Sequence, residues 1–426
     1  MNESTNQQIH EKIGWKTAFA IVVSNMIGTG VFTSLGYQLS SVQNTWSILI
    51  LWLIGGGLAL IGALTFAELG THFRESGGDY IYLSRVFHPL VGYVYAWISL
   101  TVGFSAPIAI SAMAMTEYLG LEGWTSWFGV GVIVVVTVLH SISVRQSGGF
   151  HNVMTALKIV FVFVLIIIGL SVLPQQTNAL NFNNTWQSEW LLPGFAVSLI
   201  YVTYAYTGWN SAAYITDEID APKINLPKAL IGGTLLVTVV YILLQFVFLR
   251  HASIPQLAGK AEVAKIAFEN IGGTSGAWWV SVFIAVQLVA TISGYLWVGS
   301  RIVYAMASEH SLWKPLAVKN NRGIPIRALW VLTVISVLLT MTGTFQQVLL
   351  YSSFVLQLMG TLTVASLIFV HRKEDTFKSP FRPYLQIVYI IFSSWALFYV
   401  LTEQPYESMI GLGIVAIGVV TYFFND

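Results

Sequence analysis

Uncharged apolar runs of about 20 residues recur along the whole chain, and each is long enough to cross the core of a bilayer as an α-helix. The alternating pattern of a membrane β-barrel is absent, and lipid offers no hydrogen-bond partner to an open sheet edge. We therefore predict an all-α integral membrane protein with twelve transmembrane helices. The twelve runs lie near residues 13–39, 46–71, 88–118, 124–144, 153–173, 191–216, 228–249, 277–300, 328–344, 346–370, 384–401 and 407–424.

Composition supports a membrane-embedded body. Only 9% of the 426 residues are charged and 55% are hydrophobic, whereas soluble domains carry roughly a quarter charged residues. The lipid bilayer is therefore an expected partner. Residues 1–12 are polar and no small-residue cleavage site follows the first apolar run, so we expect a short N-terminal tail and a first span that is retained.

The basic residues are distributed unevenly between the two predicted faces. Placing both termini in the cytoplasm puts 16 of the 20 Lys and Arg residues on that side. Arg250, Lys260 and Lys265 fall around one loop on the opposite side, and Lys158 lies within a span. Such asymmetry follows the positive-inside rule. We predict a multi-pass protein of the cell (inner) membrane with both termini cytoplasmic.

Several function classes are disfavoured. The net charge is +1 and no long basic run occurs, so nucleic acid is not an expected partner. The chain has no cysteine, and its histidines are scattered, so neither a metal site nor a cofactor is expected. A membrane-embedded transferase would need clustered His or Asp residues at one face and is a distant alternative. A channel is a further alternative. Uptake through a channel would neither saturate nor show counterflow, whereas uptake by a carrier does both.

Two spans carry small and β-branched residues near their middle. These residues are Gly28, Thr29 and Gly30 in the first span and Thr207 with Gly208 in the sixth, five spans later. Glycines at matching depths in two five-helix halves are typical of broken helices around a central site. Helix-packing faces are the alternative reading. A broken helix exposes N–H groups that suit a carboxylate and carbonyls that suit an ammonium group.

Ionisable residues are rare within the spans. Lys158 lies about one and a half turns inside the fifth span, where an ammonium group is costly unless it is paired or deprotonated. A functional role and snorkelling toward the surface are both open for it. Glu68 closes one end of the second span and is expected to pair with loop Lys or Arg residues.

These residues resemble those of the amino acid-polyamine-organocation (APC) superfamily, most closely its L-type amino acid transporter (LAT) branch. The resemblance covers about two thirds of the chain in the family order. Five stretches carry it: IGTGVF at 27–32; AELG at 67–70 with SGGDY at 76–80; NVMTALK at 152–158; AYTGWN at 205–210 with TDE at 216–218; and SR at 300–301 with YAM at 304–306.

The resemblance implies a LeuT-type fold of two inverted five-helix repeats, at 13–173 and 191–370, followed by two peripheral helices at 384–424. It also implies alternating access around a site at the bilayer midplane. The substrate carboxylate would meet the first break, the ammonium group would meet carbonyls of both breaks, and Tyr204 would cover the substrate. The implied substrate-binding residues are Met26, Ile27, Gly28, Thr29, Gly30, Tyr204, Ala205, Tyr206, Thr207, Gly208 and Asn210.

The resemblance also bears on coupling. Lys158 matches the family lysine that takes the place of a sodium ion, with Ser293 a candidate support in the eighth span. Sodium-independent exchange of neutral L-amino acids is thus expected, with proton-coupled symport as the alternative. Two residues depart from the pattern of the family: Tyr295 stands where a small hydroxyl residue is usual, and Thr207 stands where glycine is frequent. Because the chain has no cysteine, a disulfide-linked heavy subunit is not expected.

Overall fold

The computed structural model describes residues 12–121, 125–142, 147–175 and 180–424, and the side chains of residues 125, 126 and 147–152 are not described. Apart from Lys12, the predicted N-terminal tail at 1–12 lies outside the described residues. The side chain of Asn152, the first residue of the fifth-span motif, lies outside them too.

Helices recur along the whole described chain and no strand occurs in it, which confirms the all-α fold class. Three segments have other helical hydrogen-bond spacing: a π-helical turn at Ser99–Phe104 and 3-10 helices at Ser211–Glu218 and Ser311–Leu316. The seventeen α-helices of the described residues are α1 (Trp15–Met26), α2 (Gly30–Gln38), α3 (Thr45–Phe73), α4 (Asp79–Val86), α5 (Pro89–Ile98), α6 (Ser105–Leu119), α7 (Thr125–Ile142), α8 (Ser147–Ser171), α9 (Trp186–Glu189), α10 (Pro193–Ala205), α11 (Pro222–His251), α12 (Ile254–Leu257), α13 (Val263–Glu309), α14 (Ile326–Thr342), α15 (Phe345–Phe369), α16 (Tyr384–Glu403) and α17 (Pro405–Tyr422).

Twelve crossings emerge from these helices. Nine helical segments of the described chain are apolar and long enough to cross a bilayer. Three shorter apolar helices, α7, α10 and α14, supply the rest. Each crossing overlaps one of the predicted runs, so the prediction of twelve transmembrane helices is confirmed.

The eighth crossing differs from its predicted run in length. Helix α13 has 47 residues, but its backbone is non-helical at Gly272 and Gly273, where Gly273 has φ 65°. Glycine adopts this left-handed conformation without a Cβ clash, so the chain kinks there. The predicted span 277–300 lies wholly after the kink, and the helix continues to Glu309.

The first and sixth crossings are both broken at mid-length. Helix α1 ends at Met26 and α2 begins at Gly30, with non-helical backbone between them. Helix α10 ends at Ala205, and turns at 206–210 lead into the 3-10 helix Ser211–Glu218. Of the two readings of these glycines, broken helices are confirmed. The repeat boundaries and the peripheral pair at 384–424 stay predictions.

The outer ends of these two broken helices are joined. The N–H of Ile13 donates to the carbonyl of Glu218, and the N–H of Asp220 donates to the carbonyl of Ile13, both at 2.9 Å. The start of α1 is therefore attached to the end of the 3-10 helix Ser211–Glu218. We call this side of the molecule, where α1 begins, the N-terminal face.

Candidate functional site

A cavity lies between the two helix breaks, and its wall is built from α1, α8, α10, α13 and the third crossing. The breaks supply unwound backbone to this wall, and the long helices supply side chains. Nine of the residues predicted from the sequence line it: Met26, Ile27, Gly28, Thr29, Gly30, Lys158, Tyr204, Ala205 and Thr207. The structure thus brings the two breaks and Lys158 to one place.

Glycine allows the two breaks to approach each other at the level of the backbone. A Cβ on Gly30 would lie 2.5 Å from the Cα of Ala205, and one on Gly208 would lie 2.7 Å from the carbonyl carbon of Asn25. Gly208 also has φ 103°, which other residues rarely adopt. Gly28 is different, because a Cβ there would meet nothing closer than the Met26 carbonyl at 3.9 Å. Gly28 therefore faces the cavity.

The breaks give the cavity a polarity that suits a zwitterion. Gly30 is the first residue of α2, so the free N–H groups and the positive dipole end of that helix lie at the cavity wall. Met26 and Ala205 are the last residues of α1 and α10, so helix carbonyl ends lie there too. A carboxylate and an ammonium group therefore each find complementary backbone groups in one space.

Tyr241 of α11, a residue that the sequence analysis missed, joins the two breaks. Its hydroxyl donates to the carbonyl of Met26 at 2.5 Å and lies 3.1 Å from the carbonyl of Ala205. One phenol thus holds the ends of α1 and α10 together. A carbonyl oxygen has two lone pairs, so each of these acceptors keeps capacity for a ligand. The sequence could have indicated this role, because Tyr241 lies inside an apolar run and a buried phenol needs a hydrogen-bond partner.

Lys158 reaches the cavity from α8 and is 9% exposed. Among the described residues, no hydrogen bond or ion pair of its ammonium group occurs, so the predicted support of Lys158 by Ser293 of the eighth crossing is not formed by such a bond. One turn earlier, the hydroxyls of Ser24 and Thr155 lie 2.8 Å apart and connect α1 to α8. Among the described residues that line the cavity, Lys158 is the one with a charged side chain.

Three residues predicted for the substrate site in the sixth crossing do not line the cavity. The hydroxyl of Tyr206 donates to the carbonyl of Trp52 at 2.9 Å, and Gly208 packs on α1. The side-chain amide of Asn210 donates to Asp79 at 3.2 Å, on the N-terminal face. These positions follow the break along the chain, where the backbone turns away from the cavity.

The eighth crossing also presents a different residue from the one predicted. Ser293 lies 2.7 Å from His140 of α7 and does not line the cavity. Thr291 and Tyr295, two residues to either side, line it instead. Sequence position identified the helix but could not identify its cavity face, because that depends on how α13 packs against α7 and α8.

The cavity extends toward the N-terminal face. Ser24 and Asn25, which precede the first break, contribute to its wall. On the other side of the break, the carbonyl of Phe32 accepts a hydrogen bond from Tyr118 at 2.9 Å. Beyond it, Tyr37 stacks on Phe345 with ring centroids 5.4 Å apart. Packing therefore closes the opposite side of the site.

Comparison with known proteins identifies the family. The family described as Amino acid permease matches residues 13–420. The chain belongs to this family. It is 29% identical to the b(0,+)-type amino acid transporter 1 of Rattus norvegicus over 99% of the chain and 89% of that protein. The Oryctolagus cuniculus protein of the same name is 31% identical over 89% of the chain and 80% of that protein.

Transporters of a second name are also similar to this chain. The permease is 28% identical to the human protein named Large neutral amino acids transporter small subunit 2, over 98% of the chain and 81% of that protein. The resemblance to the LAT branch of the APC superfamily is thus confirmed. The permease is a multi-pass membrane protein that transports amino acids and is not an enzyme, so the transferase alternative is excluded.

One acidic residue of the permease has a structural role, as predicted. Glu68, 2% exposed at the end of α3, pairs with Arg382 at 2.7 Å and accepts a hydrogen bond from the N–H of Ser379 at 2.9 Å. Arg382 also donates to the carbonyls of Leu367 and Val370 at the end of α15. The chain between α15 and α16 is therefore fastened to α3, away from the cavity.

Proposed function

We propose that this permease carries neutral L-amino acids by alternating access, independently of sodium and by exchange. The observation that carries the proposal is the cavity itself, where two helix breaks of opposite polarity meet beside Lys158. The fold of the family and the names of its relatives agree with an amino acid as the substrate.

The backbone recognises the groups that all α-amino acids share. The carboxylate takes the N–H groups of Gly28, Thr29 and Gly30 at the positive end of α2. The carbonyl of Tyr204 already accepts bonds from the N–H and the hydroxyl of Thr207, at 3.0 and 2.8 Å. Its two lone pairs are used, so the ammonium group takes the carbonyls of Met26 and Ala205 instead.

The lining favours a neutral side chain. A charged side chain in a dry cavity needs a counter-charge, and within the described lining Lys158 is the one charged residue. Phe104, Tyr204 and Tyr295 supply large apolar surface around the remaining space. Neutral substrates therefore fit, whereas basic substrates would be repelled by Lys158.

Lys158 also supports independence from sodium. An ammonium group and a bound cation repel each other strongly at low dielectric, so a charged Lys158 excludes sodium from its surroundings. A permanently charged lysine suits exchange, because no ion then needs to accompany the substrate. Proton-coupled symport is the second candidate, since a buried lysine that gives up its proton could carry one in each cycle.

The proposed setting is the cell (inner) membrane with both termini cytoplasmic, so that the cavity extends toward the cytoplasm. The basic residues support this orientation through the positive-inside rule. One relative is named a small subunit, but this permease has no cysteine, so any association with a heavy subunit would lack a disulfide.

A competition panel tests the substrate class. Purified permease in liposomes takes up one labelled neutral amino acid while each standard amino acid is added in excess. We expect competition by neutral amino acids and little by Lys or Arg, which Lys158 repels. Equal competition by lysine or arginine would contradict the proposal.

A further inference from the structure

A second polar centre lies outside the cavity, around Asp79, the first residue of α4 on the N-terminal face. Its carboxylate is 2% exposed and is surrounded by donors from three other parts of the chain. The donors are the Tyr214 hydroxyl at 2.5 Å, the Thr363 hydroxyl at 2.7 Å and the Asn210 side-chain amide at 3.2 Å. The Tyr95 hydroxyl lies 3.1 Å from the carboxylate and 2.6 Å from the Tyr214 hydroxyl. Asp79 therefore connects the 3-10 helix Ser211–Glu218 to α5 and α15.

The residues before Asp79 are shaped around Tyr214. The N–H of Gly77 donates to the Tyr214 carbonyl at 3.2 Å. A Cβ on Gly78 would lie 2.8 Å from the Tyr214 ring, and Gly78 has φ 54°. The two glycines thus let the chain close over the ring while its hydroxyl bonds Asp79. Nothing in the transport site explains this arrangement, because none of α4, α15 and the 3-10 helix is found among the described residues that line the cavity.

Asp79 is buried and has no positive partner within the described part of the chain, unlike Glu68. Glu68 is paired with Arg382, whereas no ion pair of Asp79 occurs among the described residues. Burial raises the pKa of the Asp79 carboxyl, and the hydroxyl donors of Tyr214, Thr363 and Tyr95 oppose this. A carboxylate in such a place stays ionised only through its hydrogen bonds and the positive end of its own helix.

Among the residues that the structure describes, the titratable groups that face Asp79 are all phenols, which are uncharged at neutral pH. The residue that α15 presents, Thr363, does not titrate. The phenols are Tyr82 of α4, Tyr95 of α5, Tyr214 of the 3-10 helix and Tyr389 of α16. The charge of Asp79 therefore depends on its own protonation and, among these phenols, on the two that bond it, Tyr95 and Tyr214.

We propose that the charge on Asp79 acts as a latch, which holds the 3-10 helix Ser211–Glu218 against α5 and α15 while Asp79 is ionised and releases it when Asp79 is neutral. An ionised carboxylate accepts on both oxygens, whereas a protonated one must donate one hydrogen and loses acceptor capacity. The released segment directly follows the sixth-crossing break. Because Ile13 attaches it to α1, both broken helices gain freedom on the N-terminal face.

Opening of the latch can be measured by labelling a single introduced cysteine, because the chain has no native cysteine. Ser211 begins the 3-10 helix, and its hydroxyl oxygen is buried without a hydrogen-bond partner, so Ser211→Cys is a nearly isosteric reporter. Ser111 of α6 is a matched reporter, since its hydroxyl is buried and unpartnered as well. The rate of N-ethylmaleimide labelling of each reporter measures local opening in substrate-free liposomes.

We expect Asp79→Asn to speed labelling at Cys-substituted position 211 by about tenfold or more, because charged hydrogen bonds to the carboxylate are lost. Tyr214→Phe should have the same effect, and it decides the question if the Asp79 variant does not fold. Tyr389→Phe is the matched control, because its hydroxyl bonds Gln357 and not Asp79. Labelling at position 111 should stay slow in all variants.

Unchanged labelling at position 211 in Asp79→Asn and Tyr214→Phe would overturn the latch. Equal acceleration at positions 211 and 111 would also overturn it, because it would show general loosening of the fold. Both readouts are made without substrate, so their failure is distinguishable from a failure of the transport proposal.

Discussion

At the scale of single residues, the glycines of the first break differ in what a side chain would meet. A Cβ on Gly28 has open space, whereas one on Gly30 would press on the backbone of Ala205. We expect Gly28→Ala to fold normally but to bind substrate about tenfold or more weakly, since its methyl group occupies the place of the carboxylate. Gly30→Ala should instead lower the yield and stability of folded protein.

Size-exclusion chromatography, thermal unfolding and binding of a labelled neutral amino acid separate these two effects. If Gly28→Ala binds substrate as the unmodified protein does, the carboxylate does not meet the first break. A Cβ on Gly30 would lie 2.5 Å from the Cα of Ala205. Good folding of Gly30→Ala would show that these two backbone segments are further apart than this distance implies.

Tyr241 makes a second prediction at this scale. Tyr241→Phe removes one hydroxyl and leaves the buried carbonyls of Met26 and Ala205 without that donor, at a cost of about 1–3 kcal/mol. We expect substrate affinity to fall by about tenfold, because the two carbonyls lose their relative positions. Tyr206→Phe is the control, since its lost bond to Trp52 lies away from the cavity. A similar loss of affinity in both variants would contradict a special role for Tyr241.

Sequence patterns predicted some of these residues and missed others for a physical reason. Glycines at mid-membrane indicate a break, because glycine in a helix interior is about 1 kcal/mol less favourable than alanine. The orientation of Ser293 toward His140, or of Asn210 toward Asp79, is decided by contacts between distant elements. Apolar periodicity contains no information about those contacts.

At the scale of helices, the twelve crossings were predictable because the bilayer fixes the length of an apolar run. The π-helical turn Ser99–Phe104 was not predicted, although Pro107, which has no N–H to donate to the carbonyl four residues earlier, lies just after it. Helix α4 was missed because it is short, has mixed polarity and does not cross the membrane.

The chain between α15 and α16 gives a prediction about these elements. Arg382→Ala leaves Glu68 buried without its partner and removes donors from the end of α15, so we expect a loss of about 3 kcal/mol or more in stability. Arg74→Ala is the control, because Arg74 pairs with the fully exposed Asp375 and should matter little. Thermal unfolding of the purified proteins gives the comparison. Equal melting temperatures for Arg382→Ala and the unmodified protein would contradict a structural role for this pair.

At the scale of the whole molecule, the two sides of the site differ in their packing. The cavity extends toward the N-terminal face, whereas bonds to Phe32 and the stacking of Tyr37 on Phe345 close the other side. Composition and charge predicted the orientation of the chain but could not predict which side is closed. That property belongs to the packing of the helices around the cavity, and the proposed alternating access would change it in each cycle.

Counterflow measures exchange by this permease without any other process. Liposomes containing the permease are loaded with an unlabelled neutral amino acid or left empty, and uptake of the same labelled amino acid is measured without sodium. Exchange through a site that holds Lys158 in place of a sodium ion predicts rapid uptake into loaded liposomes and almost none into empty ones. Uptake that requires sodium, or concentrative uptake into empty liposomes under a proton gradient, would contradict this account.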